Sequence, residues 1–506
     1  MKTILLTMDS LNRHMLGIYG GKKAQTPNID RLAKRSVVFD GHWLGSAPCM
    51  PARRDMMTGR LNFLERNWGP IEPFDKTLPM ILRQNGVFTH MITDHYHYFE
   101  IGGEGYCQLF DTWEFIRGQE WDPWVSAVSP PQKPKGHTGR FNAQYEMNKT
   151  LFTKDDEYPS PKTFLTACDW LEKNHEAENF FLMLDVFDPH EPFDAADEFL
   201  ALYETGYSGS EYNWPHYGPA TESIDSQNHL INRYLAKLSM ADKYLGKLLD
   251  VMDKHSLWED SLFILTTDHG HMLGEHGFNG KSVMHLYNEL SHLPLIMHLP
   301  GGAFAGKRVG GISQNIDLLP TILEYFNISP PGCIHGQSLI NIAEGIHPSK
   351  KTALFGYFGK TVNITDGRRT YYRSPAREDN HPCFQYAAMP TSFMNYWGME
   401  GIIKDKGYLN AYHIPEDNMV KSVSGQFLPY TPFPVYKIPC SKEEVKDEGL
   451  KYISESLLFD IESDYGQQKP IRDAQIESEM KEMLVAAMKE ADAPKEQYER
   501  LGLVVS

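Results

Sequence analysis

Four short apolar runs in this chain share one pattern: each resembles a β-strand and is followed at once by a polar cluster containing aspartate. Nearly continuous apolar runs are typical of strands buried on both faces of a parallel sheet that helices cover. Apolar residues recur at helical spacing in Asn28–Lys34, Thr77–Asn85 and Asn232–His255, which lie between the runs. The sequence therefore predicts an α/β protein with a large mixed, mostly parallel sheet sandwiched by helices. The four runs are Thr3–Met8, Val87–Thr93, Phe180–Phe187 and Leu262–Thr267.

The polar clusters after these runs predict one shared site. In doubly wound α/β sheets, ligands bind at the carboxyl ends of the strands, where these clusters converge. An aspartate after a single strand is often only a turn residue or a helix cap. Four such clusters together favour a functional site at one edge of the sheet.

The pattern changes near residue 351. Short alternating runs at Ala353–Tyr357, Thr361–Thr365 and Arg369–Tyr372 predict a small antiparallel sheet. We predict long loops over His381–Pro439, then a strand at Leu457–Ile461 and a closing helix at Ile476–Lys489. The chain is thus expected to form a catalytic α/β domain over residues 1–350 and a smaller C-terminal α+β subdomain over residues 351–506.

Composition excludes several classes of protein. With 506 residues and 41% hydrophobic residues, the chain can bury a large core and is not intrinsically disordered. A net charge of −17 argues against a nucleic-acid partner. No apolar run approaches the roughly 18 residues that span a bilayer, and Asp9 interrupts the N-terminal run too early for a signal peptide. We therefore expect no membrane partner and a cytoplasmic location.

Two groups of residues suggest chemistry. Asp9, Asp268 and His269 offer two carboxylates and an imidazole, which suit Ca²⁺, Mg²⁺ or Mn²⁺. Cys49 lies between two prolines, with Arg53 and Arg54 close behind, and a helix is predicted to start near Pro51. Positive charge and a helix N-terminus lower the pKa of a thiol, so Cys49 is a candidate nucleophile or part of an anion-binding cradle. The six cysteines form no CxxC pair, which disfavours a disulfide framework and a structural zinc site.

The segment C-x-P-x-R at Cys49–Arg53, followed by Thr58-Gly59, resembles the signature of the type I sulfatases, members of the alkaline phosphatase superfamily. Further segments match in the order of that family: LGIYG at Leu16–Gly20, TPNIDRLA at Thr26–Ala33 and TDHGHMLGEHGFNGKS at Thr267–Ser282. The resemblance covers roughly residues 1–345 and implies an alkaline phosphatase-like fold.

The resemblance also implies roles for individual residues. In this family the signature cysteine is converted to formylglycine (3-oxoalanine) by a maturation enzyme, and its hydrate attacks the sulfur atom. Asp9, Asp268, His269 and an oxygen of modified Cys49 match the ligands of a divalent metal, for which we expect Ca²⁺ ahead of Mg²⁺ or Mn²⁺. Arg53 matches the residue that holds the hydrate, Lys281 the residue that contacts the sulfate, and His190 a histidine near the leaving group.

The chain departs from the family pattern in two places. Many sulfatases carry Asp-Asp where this chain has Asp9-Ser10. Many also carry Lys-x-His where this chain has His95-Tyr96-His97. We assign His97 to the family's histidine beside the formylglycine and His95 to the lysine position, which contacts substrate. Arg117, in an aromatic and charged segment, is a further candidate for binding the substrate anion.

The leading hypothesis is a sulfuric ester hydrolase that acts on a small sulfated substrate, for which we expect a saccharide. One alternative is a phosphonate monoester or phosphodiester hydrolase of the same superfamily. Another is a catalytically silent glycan-binding protein. The sequence leaves the ester position and the oligomeric state open, a homo-oligomer included.

Overall fold

The computed structural model describes residues 1–100, 102–203, 206–346, 349–390, 416–440 and 448–504. Its strands up to residue 314 are β1 (Lys2–Met8), β2 (Val37–Trp43), β3 (Ser46–Ala47), β4 (Phe88–Thr93), β5 (Thr112–Phe115), β6 (Phe180–Val186), β7 (Gly218–Pro219), β8 (Ser261–Thr266), β9 (Met272–Leu273), β10 (Phe278–Gly280), β11 (Leu295–His298) and β12 (Arg308–Gln314). The later strands are β13 (Ala353–Tyr357), β14 (Val362–Thr365), β15 (Arg369–Arg373), β16 (Phe384–Ala387), β17 (Val423–Gly425), β18 (Val435–Pro439) and β19 (Leu457–Asp460).

The helices alternate with the strands through most of the chain. They are α1 (Pro27–Lys34), α2 (Cys49–Thr58), α3 (Leu78–Gln84), α4 (Ala143–Lys149), α5 (Pro159–Asn174), α6 (Asp197–Leu200), α7 (Ile224–Lys254), α8 (Asn288–Ser291), α9 (Leu318–Tyr325), α10 (Leu339–Glu344), α11 (Glu416–Val420), α12 (Ala474–Glu490) and α13 (Lys495–Arg500). Among the described residues, no helix combines the length and the apolar character that a membrane span requires.

The main sheet confirms the predicted fold class. Its strand order is β12-β2-β11-β8-β1-β6-β4-β5, and only β11 runs antiparallel to its neighbours. The four predicted strands are β1, β4, β6 and β8, and they lie side by side as β8-β1-β6-β4. Their polar carboxyl ends therefore meet at one edge, as the sequence pattern predicts.

Helices cover both faces of this sheet. Successive residues of β1 point to opposite faces, so each face packs against its own layer of helices. Ile4 and Leu6 pack in the core with the long helix α7, while Leu5 packs with residues of α2 and α9 on the other face. All three are at most 1% exposed. A strand buried on both faces has to be apolar at nearly every position, which explains the continuous runs.

A second sheet supports the turn that carries Cys49. Strands β19-β15-β14-β13 are antiparallel, and β3, just before Cys49, pairs in parallel with β13 at the end of that sheet. Helix α12 packs against this sheet through Met480 and Leu484. Four strands of this sheet and the closing helix were predicted to within one or two residues. The division into domains at residue 350 stays a prediction.

The stretch His381–Pro439, predicted as long loops, is partly a sheet. Strands β16, β18 and β17 form a three-stranded antiparallel sheet there, so the prediction is wrong for these residues. Residues 391–415 of the same stretch lie outside the described residues. These strands are only three to five residues long and lie in a segment rich in proline and aromatic residues. Their alternation of side chains is therefore hard to recognise in the sequence.

Candidate active site

The two central strands bring Asp9 and Asp268 to the same edge. Thr7 of β1 is paired with Thr266 of β8, so the residues two positions further along, Asp9 and Asp268, follow in the same row. Both side chains are fully buried. A buried carboxylate has to be paired or bound to a metal, and the surrounding cations satisfy the first condition.

Cys49 is the first residue of helix α2, and hydrogen bonds between Ser46 and Asp55 fix the turn that precedes it. Asp55 of the same helix accepts hydrogen bonds from Ser46, at 2.5 Å from its backbone N and 2.8 Å from its Oγ. The Cys49 sulfur lies 3.2 Å from Nε2 of His269 and 3.6 Å from Nζ of Lys281. Cys49 is fully buried.

The expectation of an activated thiol at Cys49 is wrong. Burial and the carboxylate of Asp9 raise the pKa of the Cys49 thiol well above its usual value, and Lys281 offsets only part of that rise. Arg54, expected to help, turns away and binds Asp75 at 2.8 Å. The encoded cysteine is therefore a poor source of thiolate here.

Arg53 is the centre of a buried ionic network. Its Nη1 donates to Asp268 Oδ2 at 2.6 Å and to the Cys49 carbonyl at 3.2 Å, and its Nη2 lies 3.1 Å from Asp9 Oδ2. Nε and Nη2 also donate to the two oxygens of Asp185 at 2.8 and 2.9 Å. One guanidinium thus holds carboxylates from three neighbouring strand ends in a fixed arrangement.

Asp185 and Tyr98 are parts of this network that the sequence analysis missed. Tyr98 donates its hydroxyl to Asp185 Oδ2 at 2.6 Å. Asp185 lies inside the apolar run of β6, where the strand pattern made it look like one polar exception. An aspartate within a strand buried on both faces needs a charged partner, and that rule could have marked it.

Four side chains at this edge form a set that can hold a metal ion. Among the described residues, Asp9, Cys49, Asp268 and His269 offer ligand atoms within 4.8 Å of one another. Nδ1 of His269 lies 2.8 Å from the carbonyl of Gly270, so a proton on Nδ1 leaves Nε2 facing Cys49 and Asp268. A Cβ at Gly270 would come within 1.8 Å of the Glu289 carbonyl oxygen, so this turn requires glycine.

The two carboxylates of this set titrate in opposite directions. Burial alone would raise the pKa of Asp9, but the charges of Lys281 and Arg53 hold it well below its usual range. Burial and the charge of Asp9 raise the pKa of Asp268 to about 7. Adjacent buried carboxylates repel each other, and a divalent cation between them removes that repulsion. The donor set therefore fits a metal.

Lys281 directly follows strand β10 and points into the same edge. Its Nζ donates to Ser10 Oγ at 3.0 Å and lies 3.7 Å from Asp9 Oδ1. Ser10 in turn donates its hydroxyl to Asp9 at 2.7 Å. Burial alone would lower the pKa of Lys281, but the carboxylate of Asp9 raises it. Lys281 is thus a buried, permanently charged cation beside Cys49.

The three other histidines predicted for the site, besides His269, are at most 1% exposed and have different partners. His95 Nε2 lies 2.9 Å from Asp9 Oδ2, so in this structure it contacts a predicted metal ligand. His97 Nε2 lies 2.7 Å from Glu120 Oε2, and His190 Nδ1 lies 2.7 Å from the Glu191 carbonyl. Burial lowers the pKa of His190 to about 3, so this ring is neutral near pH 7.

Arg117 does not reach this cluster through any contact that the structure shows. Its Nε and Nη2 donate to Asp122, five residues on, at 2.6–3.0 Å, and its side chain is 38% exposed. Glu120, between these two residues, was missed by the sequence analysis although it contacts His97. Nothing local in the sequence marks which carboxylate of this charged segment points inward.

Comparison with known proteins shows that this chain is similar to hydrolases. The model of a family described as Sulfatase matches residues 2–328. N-acetylglucosamine-6-O-sulfatase from Bacteroides thetaiotaomicron is 24% identical over 420 residues, which are 70% of this chain and 74% of that protein.

Two solved structures resemble the whole chain. Phosphonate monoester hydrolase of Agrobacterium radiobacter has a TM-score of 0.66 at 15% identity, covering 97% of this chain and 95% of that one. BT4656 in complex with its substrate D-glucosamine-2-N,6-O-disulfate also has a TM-score of 0.66, at 16% identity, covering 97% of both chains. At this identity the two structures show a common fold.

Proposed function

Because this chain belongs to the sulfatase family, we propose that it is a sulfuric ester hydrolase whose substrate is a sulfated saccharide. Membership implies in general a metal ion and conversion of the signature cysteine to formylglycine. The observation that carries the proposal is the packing of Cys49, Arg53 and Lys281 against the Asp9, Asp268 and His269 donor set. This combination supplies a nucleophile position, fixed cations and a metal site in one buried volume.

The residues would divide the work as follows. The hydrate of formylglycine at position 49 supplies the oxygen nucleophile that a buried thiol does not. Arg53 fixes the helix turn around Cys49, since it binds the Cys49 carbonyl and two strand-end carboxylates at once. Nζ of Lys281 lies 3.6 Å from the Cys49 sulfur, and it would bind the anionic oxygens of the substrate. His190, whose ring is neutral near pH 7, would lie beside the leaving group of the substrate.

The metal would be held by Asp9, Asp268, His269 and the modified residue 49, and it would act as a Lewis acid on a sulfate oxygen. We propose Ca²⁺, since carboxylate oxygens dominate the donor set. Removal with a chelator and reconstitution with Ca²⁺, Mg²⁺ or Mn²⁺ in parallel, followed by elemental analysis, distinguishes these ions. Highest bound stoichiometry and activity with Mg²⁺ or Mn²⁺ would contradict the assignment of Ca²⁺.

A saccharide fits the surroundings of the site. The rings of Trp121 and Trp214 are stacked 6.0 Å apart, and Trp121 lies 6.1 Å from the ring of His97. Trp214 is buried, but Trp121 is partly accessible, and an aromatic ring next to an anion site suits a sugar that carries a sulfate. A sulfatase acting on N-acetylglucosamine sulfate is among the relatives, so sulfated glucosamines are the first substrates to test. Arg117 stays a proposed contact for the substrate anion.

The test compares two preparations of the protein, both co-produced with a formylglycine-generating enzyme, its proposed maturation partner. One is the wild type and the other is Cys49→Ala. Intact-protein mass spectrometry should show the wild type about 18 Da lighter than its sequence mass, because the conversion removes the sulfur and two hydrogen atoms and adds one oxygen. Hydrolysis of an aryl sulfate and of glucosamine 6-sulfate should occur only with the modified protein. Equal rates for the two preparations would refute the proposal.

A phosphonate monoester or phosphodiester hydrolase is the second candidate. It is favoured by the likeness in fold to the Agrobacterium phosphonate monoester hydrolase. Values of kcat/KM for an aryl sulfate, an aryl phosphodiester and an aryl phosphonate, measured on one preparation, decide between the two functions. A higher value for either phosphorus ester would make that activity the main one.

A further inference from the structure

A buried glutamate, Glu120, lies between two histidines of the proposed active site. It belongs to the segment that connects strand β5 to helix α4, and it is only 2% exposed. Its Oε2 lies 2.7 Å from Nε2 of His97, and its Oε1 lies 3.9 Å from Nδ1 of His190. The family signature that points to Cys49 contains no residue of this segment, so Glu120 has no role assigned so far.

The backbone at Glu120 is strained. Its φ is 42°, in the left-handed region that residues with a Cβ rarely adopt. Such a conformation persists only where the surroundings enforce it. Here Gln119 donates to Asp94 at 2.7 Å, and Asp122 accepts from the backbone N of Gly118 at 2.8 Å. The turn is fixed on both sides and directs the Glu120 carboxylate inward.

The ring of His97 is oriented by this carboxylate. Because Nε2 faces Glu120, Nδ1 is the nitrogen left for the interior of the site. Nδ1 is buried and has no hydrogen-bond partner among the described residues. His97 also forms, with Cys49 and His95, a group whose ligand atoms lie within 4.8 Å of one another. A carboxylate on one ring nitrogen and the nucleophile position near the ring is the arrangement of an oriented general base.

We propose that Glu120 is a positioning residue that fixes the tautomer of His97, with a proton on Nε2 and the Nδ1 lone pair toward residue 49. This inference rests on the proposed function. His97 then accepts a proton at Nδ1 from a hydroxyl of residue 49, and the Glu120 carboxylate stabilises the imidazolium that forms. The charge of Glu120 raises the pKa of His97, although burial alone would lower it. Glu120 itself touches neither the substrate nor residue 49.

The first test separates the charge of Glu120 from its shape. Glu120→Gln keeps the length and one acceptor oxygen but removes the charge, and Glu120→Asp keeps the charge. A lost general base costs about 10²–10⁴ in rate, so we expect Glu120→Gln to lower kcat at least about 30-fold with little change in KM. Glu120→Asp should recover part of kcat. Glu114→Gln, on the neighbouring strand β5, is half exposed and serves as a matched control with wild-type kcat.

The second test does not depend on activity. Long-range ¹H–¹⁵N spectra of histidine-labelled, unmodified protein report the tautomer of each ring, and a His97→Gln variant assigns the His97 signals. We expect the Nε2–H tautomer in the wild type and its loss or exchange with the other tautomer in Glu120→Ala. If the wild type hydrolyses no sulfate ester but His97 shows this tautomer, the proposed function fails while the Glu120–His97 pairing stands.

Two results would overturn the inference. One is a His97 ring that carries its proton on Nδ1 in the wild type. The other is a Glu120→Gln variant with kcat close to that of the wild type and of Glu114→Gln. A fall in kcat that follows a fall in melting temperature, with no recovery in Glu120→Asp, would mean that Glu120 acts on stability alone and would also overturn it.

Discussion

Replacing Asp185 by asparagine tests whether the buried Arg53 network holds the site together. Asp185 accepts two hydrogen bonds from Arg53, at 2.8 and 2.9 Å, and one from Tyr98 at 2.6 Å. Asparagine has nearly the same shape, but it removes the charge and turns an NH₂ group toward a donor. Hydrogen bonds to charged groups contribute about 1.5–3 kcal/mol each. Breaking one partner of a buried ion pair costs about 3–5 kcal/mol.

We expect the lower end of that range, about 3 kcal/mol, because Arg53 keeps Asp9 and Asp268 as partners. The assay is the rate of unfolding in guanidinium chloride, followed by tryptophan fluorescence, since large proteins often unfold irreversibly. If the whole loss appears in the unfolding barrier, Asp185→Asn unfolds about a hundredfold faster than the wild type. Its kcat should fall by a similar factor, since Arg53 also binds the Cys49 carbonyl.

Asp250→Asn is the control for this prediction. Asp250 pairs with Arg31 at 2.7 Å, but its side chain is 68% exposed. Surface pairs of this kind contribute about 0–1 kcal/mol, so the control should unfold almost as slowly as the wild type. The reasoning is refuted if Asp185→Asn unfolds as slowly as Asp250→Asn and keeps the wild-type kcat.

Three further predictions concern charge. Lys281→Met should lower kcat about a hundredfold or more, because it removes the buried cation 3.6 Å from the Cys49 sulfur; unchanged kinetics on a sulfate ester would contradict this. Burial and Asp188 raise the pKa of Asp94 to about 7, above its unfolded value, so its protonated form stabilises the fold at acidic pH. The free energy of unfolding of the wild type, relative to Asp94→Asn, should therefore fall as the pH rises from about 4 to 7, and a flat difference would rule this out. Chelation should lower both activity and melting temperature, and added Ca²⁺ should restore them; a chelated protein with the original melting temperature would speak against the site.

The core strands could be predicted from the sequence because a strand buried on both faces is apolar at nearly every position. The ends of elements were harder to predict. Helix α7 begins at Ile224, eight residues before the predicted start at Asn232, because its first turns are polar and exposed and show no apolar period. Its start is set by Ser223, which accepts a hydrogen bond from the backbone N of Ser226. A capping serine is a weaker signal than a row of leucines.

The candidate site residues that belong to motifs could be identified from the sequence, whereas the residues that contact them could not. Asp185 and Glu120 act on Arg53 and His97, which lie 132 and 23 positions away along the chain. No local pattern encodes such pairings. The pKa of Cys49 was mispredicted for the same reason: its neighbours in sequence are cationic, but the side chain of Asp9, from another strand, dominates its surroundings together with burial. The sign of the potential at a buried atom is decided by the fold.

This explains how a chain with a net charge of −17 can bind an anion. Among the residues that the structure describes, the permanently charged cations that contact Asp9, Asp185 and Asp268 around Cys49 are Arg53 and Lys281. These five side chains alone leave the site negative when the three acids are ionised, and a sulfate ester carries a negative charge of its own. A divalent cation bound by Asp9 and Asp268 reverses the sign locally. With a metal held by these carboxylates as we propose, the strand ends would be compatible with an anionic substrate, since the metal and Arg53, which the carboxylates orient, would together set the charge around the sulfate.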